Sequence, residues 1–124
     1  MDEALKSSDK AIQLKPDLAE AYTNRANALK GLGRFNEAMT SYDKAIQLTP
    51  DLAEAYVNRS NLLKALGRSQ EAVASADKAI ELRPDLAVSY NNRGAALEDL
   101  GQLQEALRDY DKTIELNPDY AEAY

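Results

Sequence analysis

Four prolines punctuate the chain at one interval. Pro16, Pro50, Pro84 and Pro118 are each 34 residues from the next, and each is followed by aspartate: Asp17, Asp51, Asp85 and Asp119. A fixed period of this length means that one supersecondary unit recurs, and that the units stack as an array instead of wrapping into a single globule. Residues 19–52 and 53–86 agree at 23 of 34 positions, and a third copy, 87–120, follows without a gap. The ends are ragged. Within residues 1–18, Glu3 onward aligns with the second half of a repeat, and residues 121–124 match the first four residues of a further one. This reads as a segment of a longer array; the alternative is a protein of three and a half repeats, although natural arrays usually end in a polar cap.

Each repeat reads as two helices, and the chain as all-α. Tyr22, Ala26, Leu29 and Leu32 fall at i, i+4, i+7 and i+10, as do Ala38, Tyr42, Ala45 and Leu48. No stretch alternates with period two over a strand's length. Asp17 with Glu20, Asp51 with Glu54 and Asp119 with Glu122 have the spacing of a capping box, placing the aspartates as N-caps of the first helices; Asp85, followed by Val88, has half of it. Gly33, Gly67 and Gly101 close those helices. Glu37, Glu71 and Glu105 suit the positive end of the second helix. The residue before each proline disfavours helical geometry and ends it. Helices of about a dozen residues are marginal alone in water, so stacking must supply their stability.

Composition removes several functions. The net charge of −6 counts against nucleic acid and anionic membrane surfaces, which need Lys and Arg, and favours neutral or basic protein partners. There is no Cys and no His, so no disulfide framework, no thiolate or imidazole metal site and no His general base; no cofactor is expected. Acidic residues number 21, but they follow the repeat as capping and solubility require, and no phosphate-cradling glycine loop accompanies them. Catalysis by this chain is not expected. No apolar run approaches the roughly 20 residues of a membrane span. Met1-Asp2-Glu3 is acidic where a signal peptide needs a basic start. The compartment is left open, with the cytoplasm favoured.

With the repeat numbered from Ala19, position 4 is Tyr22, Tyr56 and Tyr90; position 8 is Ala26, Ser60 and Gly94; position 11 is Leu29, Leu63 and Leu97. Position 20 is Ala38, Ala72 and Ala106, with Ala4 in the half repeat; position 24 is Tyr42, Ala76 and Tyr110; position 27 is Ala45, Ala79 and Thr113; position 32 is Pro50, Pro84 and Pro118. In this pattern the chain resembles the tetratricopeptide repeat (TPR) family along its whole length. The departures are Ala76, Thr113 and Ser8, where an aromatic, an alanine and an aromatic are usual. Ala76 is expected to leave a looser contact unless a neighbour fills it.

The resemblance implies a right-handed superhelix of antiparallel helix hairpins, with first helices lining the concave face, and a scaffold that binds an extended peptide or a partner's helix there. The alternative is the substrate-recruiting arm of a larger enzyme. The family's concave positions, 2, 5, 6, 9 and 12, correspond here to Glu20, Thr23, Asn24, Asn27 and Lys30; Glu54, Val57, Asn58, Asn61 and Lys64; and Val88, Asn91, Asn92, Ala95 and Glu98. Asn24, Asn58 and Asn92 recur at position 6, and a carboxamide both donates and accepts. Such a row can pair with a peptide backbone, and is similar to the asparagine ladder in the repeat arm of the O-linked N-acetylglucosamine transferase; the other reading is solvated surface. The family's carboxylate clamp for chaperone tails needs cations that Thr23, Val88 and Asn92 do not supply beside Asn27 and Asn58, so no such binding is expected.

Arg25, Arg59 and Arg93 stand at position 7, where an apolar residue is usual, and Asp9, Asp43, Asp77 and Asp111 at position 25. The expectation is a structural Arg–Asp ladder between helices, with a ligand role for the arginines as the alternative. Lys10, Lys44, Lys78 and Lys112 read as solvated surface. At the ends, Ala4, Leu5, Ala11 and Ile12, and Leu107, Tyr110 and Tyr124, are expected to lie open and to favour head-to-tail or helix-swapped homo-oligomers.

Overall fold

The computed structural model describes residues 2–15 and 18–119, which form seven helices. In chain order they are α1 (Asp2–Leu14), α2 (Ala19–Gly31), α3 (Phe35–Leu48), α4 (Ala53–Ala65), α5 (Ser69–Leu82), α6 (Ala87–Asp99) and α7 (Leu103–Leu116). The chain is all-α, a stack of TPR-like hairpins. α2 with α3, α4 with α5 and α6 with α7 make the closest pairs, and α1 lies against α2 as a lone second helix.

The turn inside each hairpin follows from one glycine. Gly33, Gly67 and Gly101 have φ of +78°, +78° and +79°, a region without steric penalty only for a residue lacking Cβ. Each closes a Schellman motif. In the first hairpin Gly33 N donates to Lys30 O at 3.0 Å and Arg34 N to Leu29 O at 2.9 Å. Gly67 with Arg68 and Gly101 with Gln102 repeat this.

The expected aspartate caps are not what starts the first helices. α4 and α6 begin one residue later than that reading requires, with Leu52 and Leu86 at the N-cap and no side-chain cap bond. Pro50-Asp51 instead forms the centre of a turn closed by Leu52 N donating to Thr49 O at 3.1 Å, a position suited to proline's fixed φ. Leu52 is then anchored against the small cluster of Ala19, Ala45 and Ala55, so packing sets the helix start. Glu54 remains in the first turn, where the dipole favours it. The caps expected at Asp17, and the Asp119–Glu122 box, involve positions outside the described residues.

The core runs through the stack without a break. Ala26, Leu29, Ala38, Met39, Tyr42, Leu62, Leu63, Ala72 and Ala96 form one buried cluster that spans all three hairpins. Within a hairpin, positions 8 and 24 are opposed. A Cβ added at Gly94 would lie 2.9 Å from Tyr110 Cε1, so the third hairpin seats its tyrosine against a residue with no side chain. In the second hairpin both residues are small: Ser60 and Ala76 are fully buried, and Ser60 Oγ donates to Ala72 O at 2.8 Å. Leu62, fully buried, supplies bulk in that repeat where Ala28 and Ala96 stand in the others.

Candidate groove on the first helices

The first helices α2, α4 and α6 also approach one another directly, forming the inner layer of the stack. Their shared face carries the carboxamides. Asn24, Asn27 and Asn61 are exposed, and Asn58, Asn91 and Asn92 are half-buried. Asn24, Asn58 and Asn61 make no side-chain hydrogen bond to any other described residue. Asn27 is held from behind, because the Tyr42 hydroxyl donates to its Oδ1 and leaves its NH2 facing outward. Asn92 is engaged internally: its Nδ2 donates to Val57 O at 3.2 Å, tying α6 to α4. Asn91 Oδ1 is buried without a partner among the described residues.

Two of the expected contact residues, Thr23 and Val57, are buried. Thr23 is 3% exposed with its hydroxyl donating to Ala19 O, and Val57 is 6% exposed beneath α6. Position 5 is buried in both repeats, and although Thr23 borders the cleft between α2 and α4, each side chain offers little surface to a ligand. Lys30 and Lys64 lie half-buried at the far end of the same face. Desolvation lowers the Lys30 pKa. Lys64 Nζ is 3.9 Å from Asp99. A cleft of about 180 Å³ opens between α2 and α4, lined by Glu20, Thr23, Asn24, Leu52 and Glu54.

On the other side of the first helices the arginines join the hairpins. Arg25 Nε donates to Asp9 at 2.7 Å and Arg59 Nε to Asp43 at 2.8 Å, each reaching back to the preceding second helix. Each also donates through Nη1 to its own hairpin's second helix, at Ser41 (2.7 Å) and Ser75 (2.5 Å). Arg93 reaches Asp77 at 2.9 Å and grips Asp109 through both Nε and Nη2. The Asp109 hydrogen bonds, opposed by partial burial, raise the Arg93 pKa further above its already high value. Ser41, Ser75 and Asp109, at position 23, are functional partners that residue type alone does not mark in the sequence. The available signal was spacing, since each lies 16 residues after its arginine, as the arginine lies 16 after its aspartate.

Tyr42 is fully buried and its pKa is pushed up to about 12, chiefly by desolvation and secondly by the Glu54 charge. Tyr110 is raised by desolvation and by its 2.7 Å hydrogen bond to Glu98. Tyr90 is buried with its hydroxyl on Pro84 O at 3.0 Å, while Tyr22 and Tyr56 are half-buried. Ala38, Ala72 and Ala106 are buried at the hairpin contacts, and Pro50 and Pro84 are exposed in the turns. At the ends, Ala4 is exposed while Leu5, Ala11 and Ile12 are half-buried; Leu107 is 61% exposed, and Tyr124 lies outside the described residues. Among the described residues, no helix is long and apolar enough to cross a membrane and no group of three or more acidic residues has the arrangement to hold a metal ion.

Three family models match the chain: one described as TPR repeat at residues 26–67, and two described as tetratricopeptide repeat at residues 53–86 and 87–120. A search of curated proteins returns no significant match. Among solved structures, the crystal structure of MamA superposes with a TM-score of 0.89 at 26% identity, covering 99% of this chain and 72% of that one. The first TPR domain of human RPAP3 superposes with a TM-score of 0.84 at 29% identity, covering 87% and 85%. The first TPR of Spaghetti (RPAP3), bound to the HSP90 peptide SRMEEVD, gives 0.83 at 28%, covering 85% and 83%.

Proposed function

The chain belongs to the tetratricopeptide repeat family, and from that premise we propose that it is a protein-interaction scaffold whose repeats, residues 19–52, 53–86 and 87–120, hold an extended peptide segment along α2, α4 and α6. The observation that carries this is the set of exposed or half-exposed carboxamides, Asn24, Asn58 and Asn61, with no hydrogen-bond partner among the described residues, on the first helices. A carboxamide matches one backbone N–H and one backbone C=O, so the row reads main chain with little regard for sequence. The likeness to the transferase asparagine ladder belongs to this reading. Glu20 and Glu54 beside Asn24 favour a segment of neutral or basic character, in keeping with the chain's net charge.

The RPAP3 repeat takes an acidic HSP90 peptide, but the corresponding positions here support a different ligand. Thr23 is buried, Asn27 is bonded to Tyr42, Asn92 is bonded to Val57 O, and neither Val88 nor Asn92 carries a cation. The test is a seven-residue peptide array probed with wild type and with the Asn24/Asn58/Asn61→Ala variant, which leaves the Asn92–Val57 bond intact. Retained peptides should weaken at least tenfold in the variant, and SRMEEVD should stay unbound by calorimetry. Equal binding by the two proteins, or tight binding of SRMEEVD, overturns the proposal.

A further inference from the structure

The three junctions between a second helix and the first helix that follows it are not alike. α5 and α6 run in close backbone approach, as do α1 and α2, whereas α3 and α4 approach less closely. The size of the buried side chains varies in step with this spacing. Position 24 of one hairpin and position 10 of the next are Ser8 and Ala28 at the first junction, Tyr42 and Leu62 at the second, and Ala76 and Ala96 at the third. All six are buried. Small residues let two helices close together, and a tyrosine with a leucine between them sets the axes further apart.

The spacing reaches the inner face. At the close third junction, α6 settles on α4 and the Asn92 carboxamide donates to Val57 O at 3.2 Å. At the wide second junction the equivalent pair is Asn58 and the Thr23 carbonyl. They form no such bond, and the cleft lined by Glu20, Thr23, Asn24, Leu52 and Glu54 opens there instead. The same asparagine, at the same repeat position, is thus occupied in one place and free in the other.

We propose that Tyr42 and Leu62 are positioning residues that determine where the groove grips. By holding α3 and α4 apart they keep the Asn58 carboxamide off the neighbouring backbone, so the gripping surface centres on the junction of the first two full hairpins, while Ala76 and Ala96 withdraw Asn92 from it. This rests on the peptide-binding reading above. It goes beyond that reading in assigning the choice of asparagine to a buried pair that touches no ligand.

The experiment exchanges the junctions. Tyr42→Ala with Leu62→Ala gives the second junction the pair found at the third, and Ala76→Tyr with Ala96→Leu does the reverse. The readout is water exchange of each asparagine side-chain NH2, followed by saturation-transfer NMR in the free protein, with far-UV circular dichroism to establish folding. In wild type, Asn92 should exchange roughly fivefold slower than Asn58, the ratio that one net hydrogen bond supports. Asn92 should speed up about fivefold in the widened variant, and Asn58 should slow by a similar factor in the narrowed one. If one variant does not fold, the other and the wild-type ratio still decide. Equal Asn58 and Asn92 rates in wild type, or an unchanged rate in a folded variant, overturn the inference. Rates that move as stated while the array retains no peptide from any variant leave this inference standing and remove the proposed function.

Discussion

Three arginines in equivalent positions make the chain its own control for the energetics of a partly buried ion pair. Arg25, Arg59 and Arg93 are similarly covered, with side chains 28%, 25% and 25% exposed. Their aspartates on the preceding hairpin are about half exposed, at 51%, 56% and 54%. They differ in the second partner: Ser41 and Ser75 are neutral, whereas Asp109 is a carboxylate only 7% exposed. Arg25→Ala or Arg59→Ala strands a hydroxyl and a solvated carboxylate, at about 1–1.5 kcal/mol, the net value of the hydrogen bonds lost. Arg93→Ala strands a buried charge. Breaking such a pair costs about 3–5 kcal/mol when burial is complete, and the arginine's partial exposure moves the expectation to roughly 3 kcal/mol. Urea unfolding followed by circular dichroism and tyrosine fluorescence should therefore put Arg93→Ala about 1.5–2 kcal/mol below the other two at unchanged m-value. Adding Asp109→Ser should recover most of that gap, because it removes the stranded charge. Losses equal within about 0.5 kcal/mol for all three arginines, or no recovery with Asp109→Ser, would refute the reasoning.

Three further outcomes follow from the same geometry. Tyr42 stays neutral in the fold up to about pH 12 but ionises near pH 10 when unfolded, so the folded state binds more protons in that window. Stability should be unaffected by this group below pH 10 and fall by up to about 2–3 kcal/mol between pH 10 and 12, and Tyr42→Phe should flatten that part of an alkaline unfolding curve. Gly67→Ala places a Cβ at φ +78° in open space, so its cost should be the backbone term alone, about 1–2 kcal/mol in urea unfolding, with no change in helix content. Leu103, Leu107 and Tyr110 line an open cleft of about 500 Å³ on α7, and sedimentation should show concentration-dependent self-association that Leu107→Glu abolishes.

Much of the architecture was legible because it is written in local chemistry repeated at one period. The glycines that end α2, α4 and α6 need no neighbour to explain them, and neither does the helical spacing of Tyr22, Ala26 and Leu29. Pairing of position 7 with position 25 was visible for a related reason: an arginine recurring on an apolar face implies an acid within reach. The helix starts differ from the capping pattern because they depend on tertiary contacts: Leu52 is held by a cluster drawn from α2, α3 and α4. The burial of Thr23 and Val57 is a tertiary effect that no pattern within a single repeat reveals.

The chain's own residue order determined a periodic all-α stack, since short amphipathic helices with small residues at fixed positions can hide their apolar faces only against one another. It also determined the chemistry on offer, many carboxylates and carboxamides with no thiol or imidazole. Tertiary structure alone decided which of those groups remain available. Asn58 and Asn92 are the same residue at the same repeat position, yet across the closely approaching hairpins Asn92 is bound to a backbone carbonyl, while at the wider junction Asn58 makes no side-chain hydrogen bond among the described residues; spacing between repeats is a property no single repeat encodes.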